Sequence, residues 1–447
     1  VRVVVVGAGM AGLTATRLLR AGGAHVDLLE GGARAGGRVR SLTSPFVAGR
    51  VVETGAEWVD SDHRRVRALL DRFGIELTTT GQEWTTIRRH LFHGGRLLGA
   101  AELRDLDRTV DDQLAGLEEA FETIAAGIAD PARPDLHPDA PHHDARSVAD
   151  VMAEVELGPM ASLFAQRNSQ GEFAEEPSLV SSLFVAQQRA QMAHSSGDEV
   201  VRAFRVVGGL SGLVGAMVGE LGEQTVSFGE TVTSVAWTDA GVEVGTDRRS
   251  IEADHVVFAC SLVPLRSIRF DPVLPGAFGR AVAELGYGTV TKTAVQFAEH
   301  AWPAGYATTE LASQRIYETT EDQGAGPPVL MAYTGGDGGR RLAVHSEQDR
   351  VHTVVRDIGT MYGISPEPLA ATSRAWSNES RFGGAYAAYR PGQVTACWDV
   401  LRRPCGPIHL AGEHVATWTG YLEGAVESGE TVAARLLDGV SSDASPR

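Results

Sequence analysis

Val3-Val4-Val5-Val6-Gly7-Ala8-Gly9-Met10-Ala11-Gly12 is the stretch that sets the architecture. Four consecutive valines read as a strand buried on both faces, because parallel sheet interiors give unbroken β-branched runs. The run opens directly onto three spaced glycines, and residues 13–20 then carry apolar side chains at helical spacing. Gly7 permits the tight turn. Gly9 has no side chain to block a pyrophosphate, and Gly12 lets the helix pack closely on the strand. The exposed N–H groups at the start of that helix, those of Met10 and Ala11 among them, face the phosphates. A second strand over residues 25–29 ends at Glu30, followed by Gly31. A carboxylate at that distance from the glycines takes ribose hydroxyls and repels a 2′-phosphate. Strand, turn, helix and acid together predict a dinucleotide-binding α/β domain.

Arg34-Ala35-Gly36-Gly37-Arg38 follows almost at once. A nicotinamide domain has no use for Gly-Gly-Arg there. In a flavoprotein, two bare backbones and a guanidinium, from Arg34 or Arg38, can wrap the far side of the pyrophosphate. FAD is therefore the expected dinucleotide. Residues 206–213 imitate a second dinucleotide turn but lack the following strand and acid, so they read as a helix start. Without a nicotinamide site, electrons must leave to oxygen or another external acceptor.

Bulk properties narrow the class. With 447 residues, two associated domains are expected. A formal charge of −17 argues against nucleic acid and gives no attraction to anionic membranes. Cys260, Cys397 and Cys405 are too few and too scattered for a disulfide framework or a metal knuckle. No apolar run reaches bilayer length, and the chain opens on a strand, so a soluble cytoplasmic protein is the default expectation. A homodimer is left open. Of 40 basic residues, Lys292 alone is lysine.

These motifs resemble the flavin-containing amine oxidases, a family of monoamine, polyamine and L-amino-acid oxidases. Glu53-Thr54-Gly55-Ala56-Glu57-Trp58 is similar to the family's segment passing the flavin ring. Ala411-Gly412-Glu413-His414 with residues 420–429 resembles its C-terminal flavin signature, and Gly383-Gly384-Ala385-Tyr386 the approach to its substrate site. The resemblance implies non-covalent FAD, since Ala385 stands where animal monoamine oxidases carry the flavin-bonding cysteine. It implies that Val232 meets the adenine and that Lys292 holds a water against the flavin. It also implies that Tyr386 and Tyr421 flank the substrate amine. Two phenol faces would orient a neutral amine and attract the charged form through cation–π contact.

The remaining site residues follow from their types and places. Gly55, Ala56, Gly412, Gly420 and Leu422 belong to the cofactor-binding segments. Glu413 would accept from a ribityl hydroxyl or a water, or cap the following turn. Glu57 would bind a cationic amine or accept a proton, or else serve as partner to an arginine. Trp58, Trp376 and Trp418 are expected as pocket walls. Arg315 and Arg381 are expected in the substrate half, where a guanidinium could clamp a carboxylate. Residues 130–144, rich in histidine and proline, read as a mobile loop with no metal-ligand spacing.

The fold expected is α/β: a Rossmann-like FAD-binding domain assembled from residues 1–76, 201–285 and 396–438. It is interleaved with an α+β substrate domain from 77–200, largely helical, and 286–395, with 439–447 as a polar tail. The expected reaction is hydride transfer from a carbon next to nitrogen to flavin N5, giving an imine from an amine or amide, with O2 reoxidising the flavin and peroxide released. A tailoring oxidase of secondary metabolism, an L-amino-acid oxidase, a carbon–carbon desaturase and a flavin-binding scaffold are the alternatives.

Overall fold

A computed structural model describes residues 1–84, 86–197 and 199–443. The valine run forms the strand Arg2–Val6, in which Val3, Val4 and Val5 are wholly buried. It is the middle of a five-stranded parallel sheet, in the order Ile408–Leu410, His255–Phe258, Arg2–Val6, His25–Glu30, Val226–Phe228. Helix α1 (Met10–Ala21) leaves the turn so close to it that a Cβ on Gly12 would stand 1.9 Å from the Gly7 carbonyl oxygen. A four-stranded sheet, Ser250–Ala253, Gly241–Thr246, Val232–Thr238 and Arg269–Asp271, is built from the stretches on either side of the parallel strand His255–Phe258. The glycine-rich stretch at 206–213 does begin a helix, Ser211–Leu221.

A seven-stranded sheet makes the second layer system, in the order Ala370–Ala375, Val290–Gln296, Val329–Gly335, Arg315–Glu318, Tyr306–Thr309, Arg89–His93, Arg96–Leu98. Every residue of Val290–Gln296 is buried. Lys292 sits within it, across from Tyr333 on one neighbour and Arg374 on the other. Residues 77–200 are not helical throughout, because their first part supplies the edge hairpin of this sheet. Their remainder is mainly helical and includes α2 (Pro159–Glu172) and α3 (Ser182–Ser196).

Residues 130–144 are ordered, against expectation. Pro134–Leu136 and Ala140–Ala145 are short helices, and Asp144 is fully buried. Its carboxylate accepts from the Ser181 hydroxyl at 2.8 Å and from the Thr395 N–H and hydroxyl at 2.8 and 2.7 Å. One buried acid with that many donors fixes the segment, which composition alone could not show. The chain closes on α4 (Leu422–Asp443), which packs on α1. A Cβ on Gly429 would meet the Ala11 carbonyl oxygen at 2.5 Å. The expected polar tail therefore continues this helix through Asp443, and residues 444–447 lie outside the described residues.

Candidate active site

The three glycines do three different things. Gly7 has φ +105°, a left-handed value that a side chain would strain. Gly9 faces open space, with no atom within 4 Å of where its Cβ would be. Met10 and Ala11 at the start of α1 are buried, and no side chain caps that helix end. Buried N–H groups without a cap suit an anion, and the bare side of Gly9 is where a pyrophosphate fits. Gly37 lies over this space, its Cβ position 3.5 Å from the Gly9 Cα, and the Gly36 N–H donates to the Ala8 carbonyl at 2.8 Å.

Glu30 accepts from the Ala8 N–H at 2.9 Å and the Gly32 N–H at 2.7 Å, which leaves each oxygen a further lone pair for ribose hydroxyls. Gly31 borders Thr231, and Glu230 N–H donates to the Glu30 carbonyl, so Val232 begins its strand beside the nucleotide end. Arg381 also belongs here. Its side chain runs 3.5–3.7 Å from the Cβ positions of Gly31 and Gly32, which removes it from the substrate half where it was expected.

Two charged residues of the expected cofactor set instead hold the protein together. Arg34 spends its guanidinium on its own loop, donating to the carbonyls of Ala35, Val39 and Gly37. Glu413 is buried and accepts from Arg38 at 2.8 Å, from the Gly420 N–H at 3.0 Å and from the Ala387 N–H at 3.3 Å. Its bond from Gly420 ties it to the turn that follows. It joins the Gly36–Arg38 loop, the segment at Ala387 and the turn at Gly420 that precedes α4. The Gly412 N–H donates to Ser428.

Next to the nucleotide end lies a buried polar centre. Glu57 accepts four bonds: from Lys292 at 2.8 Å, Tyr317 at 2.7 Å, Thr319 at 2.9 Å and Arg205 at 3.0 Å. Burial alone would raise its pKa, but the Lys292 and Arg205 cations hold it down to about 2. A carboxylate so ionised and so occupied is no proton acceptor and has no lone pair for a substrate ammonium. Glu57 is thus the arginine's partner of the two readings. Lys292 commits its other hydrogens to the carbonyls of Glu53 at 3.1 Å and Gly55 at 3.0 Å. To hold a water as well, it must release one of these bonds. Trp58 lies under Arg205, 4.0 Å from guanidinium carbon to ring centroid. Trp376 donates to the Thr54 carbonyl at 2.8 Å and packs on Gly55, so it supports the 53–57 segment from behind and does not wall the slot.

The tyrosine pair is brought together from distant segments. Tyr386 rests its ring against Gly420, the residue before Tyr421, with 3.4 Å to the Gly420 Cβ position. Its hydroxyl bonds to the Tyr333 hydroxyl at 2.8 Å and to the Gly171 carbonyl at 3.2 Å. Tyr421 is backed by Trp418 and His63, with ring centroids at 5.3 and 5.4 Å. Both tyrosines are half-buried and keep accessible surface. Burial pushes both phenols well above their usual range, so they stay neutral. Arg315 is half-buried, donates to Asn168 at 2.7 Å and pairs across the sheet with Tyr333.

Among the described residues, Asp60, Asp62 and His63 have metal-ligand spacing. Nδ1 of His63 accepts the Asp60 N–H at 3.0 Å, so Nε2 bears the proton and cannot ligate.

The sequence matches the family of flavin-containing amine oxidoreductases over residues 10–437. The chain belongs to that family. AofH of Mycobacterium tuberculosis, which carries the provisional name flavin-containing monoamine oxidase, is 30% identical over 98% of this chain and 96% of its own. Putrescine oxidase of Kocuria rosea is 27% identical over 97% of this chain and 95% of its own. The solved structure of cyclohexylamine oxidase from Brevibacterium oxydans IH-35A superposes with a TM-score of 0.87 at 22% identity, covering 99% of both chains, which shows the same fold. This amine oxidoreductase accordingly uses FAD.

Sequence reasoning missed several residues that this flavin-containing amine oxidoreductase places at the centre. Tyr333 touches both Tyr386 and, 5.9 Å from ring centroid to ammonium, Lys292. Arg205, Tyr317 and Thr319 complete the shell of Glu57, and His63 stands behind Tyr421. None carries a motif. The one available signal was strand pairing, since Tyr333 lies opposite both Lys292 and Arg315.

Proposed function

We propose that this amine oxidoreductase holds FAD without a covalent bond and oxidises a primary or secondary amine in the hollow walled by Tyr386 and Tyr421, with O2 as electron acceptor. FAD, when bound, accepts the hydride from the carbon next to nitrogen, leaving an imine. The observation that supports this is the pair of half-buried phenols brought together at Gly420, with Tyr386 bonded to the Tyr333 that lies opposite Lys292. Two neutral ring faces orient an amine without trapping it as a permanent ion pair. Glu57 and Lys292 fix the Glu53 and Gly55 carbonyls, and so set the wall that the amine meets.

Covalent attachment is disfavoured by the thiols present. Position 385 is alanine, and Cys260 lies at the phosphate end, its Cβ 3.3 Å from the Gly7 Cβ position. Burial pushes the Cys260 thiol up to about 12, so it is no nucleophile.

Amino-acid oxidation is a second reading, favoured by Arg315. Among the described residues its guanidinium has one hydrogen-bond acceptor, Asn168, and its strand position lies opposite Tyr333, which bonds the Tyr386 hydroxyl. Anaerobic mixing of the FAD-loaded protein with primary amines and with L-amino acids tests both. Bleaching of the flavin absorbance by amines supports the first reading. Bleaching by amino acids alone supports the second, and none with either class contradicts both.

A further inference from the structure

The strand Val329–Gly335 is buried along its whole length except at Tyr333, which is half-buried. Register places Tyr333 opposite Lys292 on one neighbouring strand and Arg315 on the other. The Lys292 strand is wholly buried, and its ammonium is anchored to Glu57 and to two carbonyls. Tyr333 thus stands on a closed, anchored part of the sheet. Its hydroxyl is so far without a task.

The hydrogen bonds around that hydroxyl have a forced direction. Gly171 is the next-to-last residue of α2, and a carbonyl in the last turn of a helix has no partner within the helix. The Tyr386 hydroxyl lies 3.2 Å from that carbonyl and supplies the missing donor. A phenol has one hydrogen to give. Tyr386 gives its own to Gly171, so the hydrogen in the 2.8 Å contact between the two phenols belongs to Tyr333. Burial raises the Tyr333 phenol to about 12, so at neutral pH it keeps the hydrogen it donates. The relay runs from Tyr333 to Tyr386 to the helix end, and it ties Tyr386 to a strand and a helix at once. Tyr421 is held differently. Among the described residues its hydroxyl makes no hydrogen bond, and its ring packs on Trp418 and His63.

We propose that Tyr333 is a positioning residue for amine oxidation: its hydrogen bond fixes the Tyr386 ring as the rigid wall against which the amine is oriented. This rests on the amine-oxidase reading above. A ring free to turn lets the reacting carbon stray from a productive geometry, and rates fall steeply with such misplacement. Tyr421 carries no such tie, so the effect belongs to one wall only.

The experiment is a double-mutant cycle on the FAD-loaded enzyme, read by anaerobic rapid mixing with benzylamine and with n-hexylamine. Tyr333→Phe keeps the ring and removes the hydroxyl. The limiting rate of flavin reduction should fall about 2- to 10-fold, the size of one neutral hydrogen bond, with the amine dissociation constant little changed. In a Tyr386→Phe background the same substitution should slow reduction no further, whereas in a Tyr421→Phe background it should keep its full effect. A merely structural Tyr333 would instead lower FAD retention and slow every background alike. An unchanged rate in Tyr333→Phe, or equal factors in the two backgrounds, overturns the assignment. A crystal structure of Tyr333→Phe gives a readout free of turnover. Tyr386 should leave Gly171 or take a second ring orientation while Tyr421 stays in place, and an unmoved Tyr386 overturns the assignment. Failure of both amines to reduce the wild-type flavin counts against the amine-oxidase reading, and the crystal structure then decides by itself whether Tyr333 fixes Tyr386.

Discussion

The proposed nucleotide end and the proposed amine end of this enzyme are built on opposite plans. At the nucleotide end the working groups are backbone: bare N–H groups of α1, open space at Gly9, and a glycine loop laid across it. One short segment supplies most of it. At the amine end the working groups are side chains, Glu57, Arg205, Lys292, Tyr317, Tyr333, Tyr386 and Tyr421, delivered by segments up to several hundred residues apart. Backbone sites tolerate change wherever a side chain points away, and fail where a methyl group has no room. Side-chain sites fail through uncompensated charge. The difference teaches where each kind of substitution should hurt.

The largest effect is expected at the amine end. Glu57→Ala leaves the Arg205 guanidinium and the Lys292 ammonium buried without their common partner, and costs about 3–5 kcal/mol. The urea unfolding midpoint of the FAD-loaded protein reads this. A midpoint near wild type would show that Glu57 does not hold the centre.

A pH effect of somewhat smaller size sharpens the same contrast. Burial raises the Glu53 carboxyl to about 7, against an ordinary 4.5. Between those values the folded protein keeps a proton that the unfolded chain has lost. Stability therefore falls as pH rises from 4.5 to 7 and levels off above, by on the order of 3 kcal/mol from this group. Asp60, raised to about 7 by burial and by Asp62, acts in the same window and with the same sign. The informative quantity is thus the difference between wild type and Glu53→Gln, whose profile should be flatter. Parallel profiles would contradict the assignment.

At the nucleotide end, two alanines should part company. Gly12→Ala drives a methyl into the Gly7 carbonyl and costs about 1–3 kcal/mol as overpacking, with loss of bound FAD. Gly9→Ala meets no protein atom, so stability without FAD stays within about 0.5 kcal/mol while FAD affinity drops about tenfold. Equal behaviour of the two would break the distinction between packing and ligand glycines. The smallest effect belongs to Arg381→Ala. FAD dissociation should quicken a few-fold, with kcat/KM for amines unchanged at saturating FAD. A substrate-side loss would return Arg381 to the amine end.

The same contrast explains what the sequence could tell. Gly7, Gly9, Gly12 and Glu30 were legible because backbone chemistry at fixed spacing leaves a local signature. Lys292 stood out because it is the lone lysine, and Tyr386 and Tyr421 through family resemblance. The true setting of Glu57 was not legible, because Arg205, Tyr317 and Thr319 reach it from separate strands and loops. Arg381 and Trp376 were misplaced for a like reason, as the chain after the strand Ala370–Ala375 crosses back over the glycine loops. The order of residues 130–144 depends on Asp144 finding Ser181 and Thr395, partners 37 and 251 positions away.

The most direct test is a crystal structure of the FAD-loaded protein. The account predicts the pyrophosphate over Gly9 and the isoalloxazine ring beside the Gly55–Glu57 segment, within reach of Lys292, one face turned to Tyr386 and Tyr421. A ring bound elsewhere, or one whose open face meets neither phenol, would contradict it.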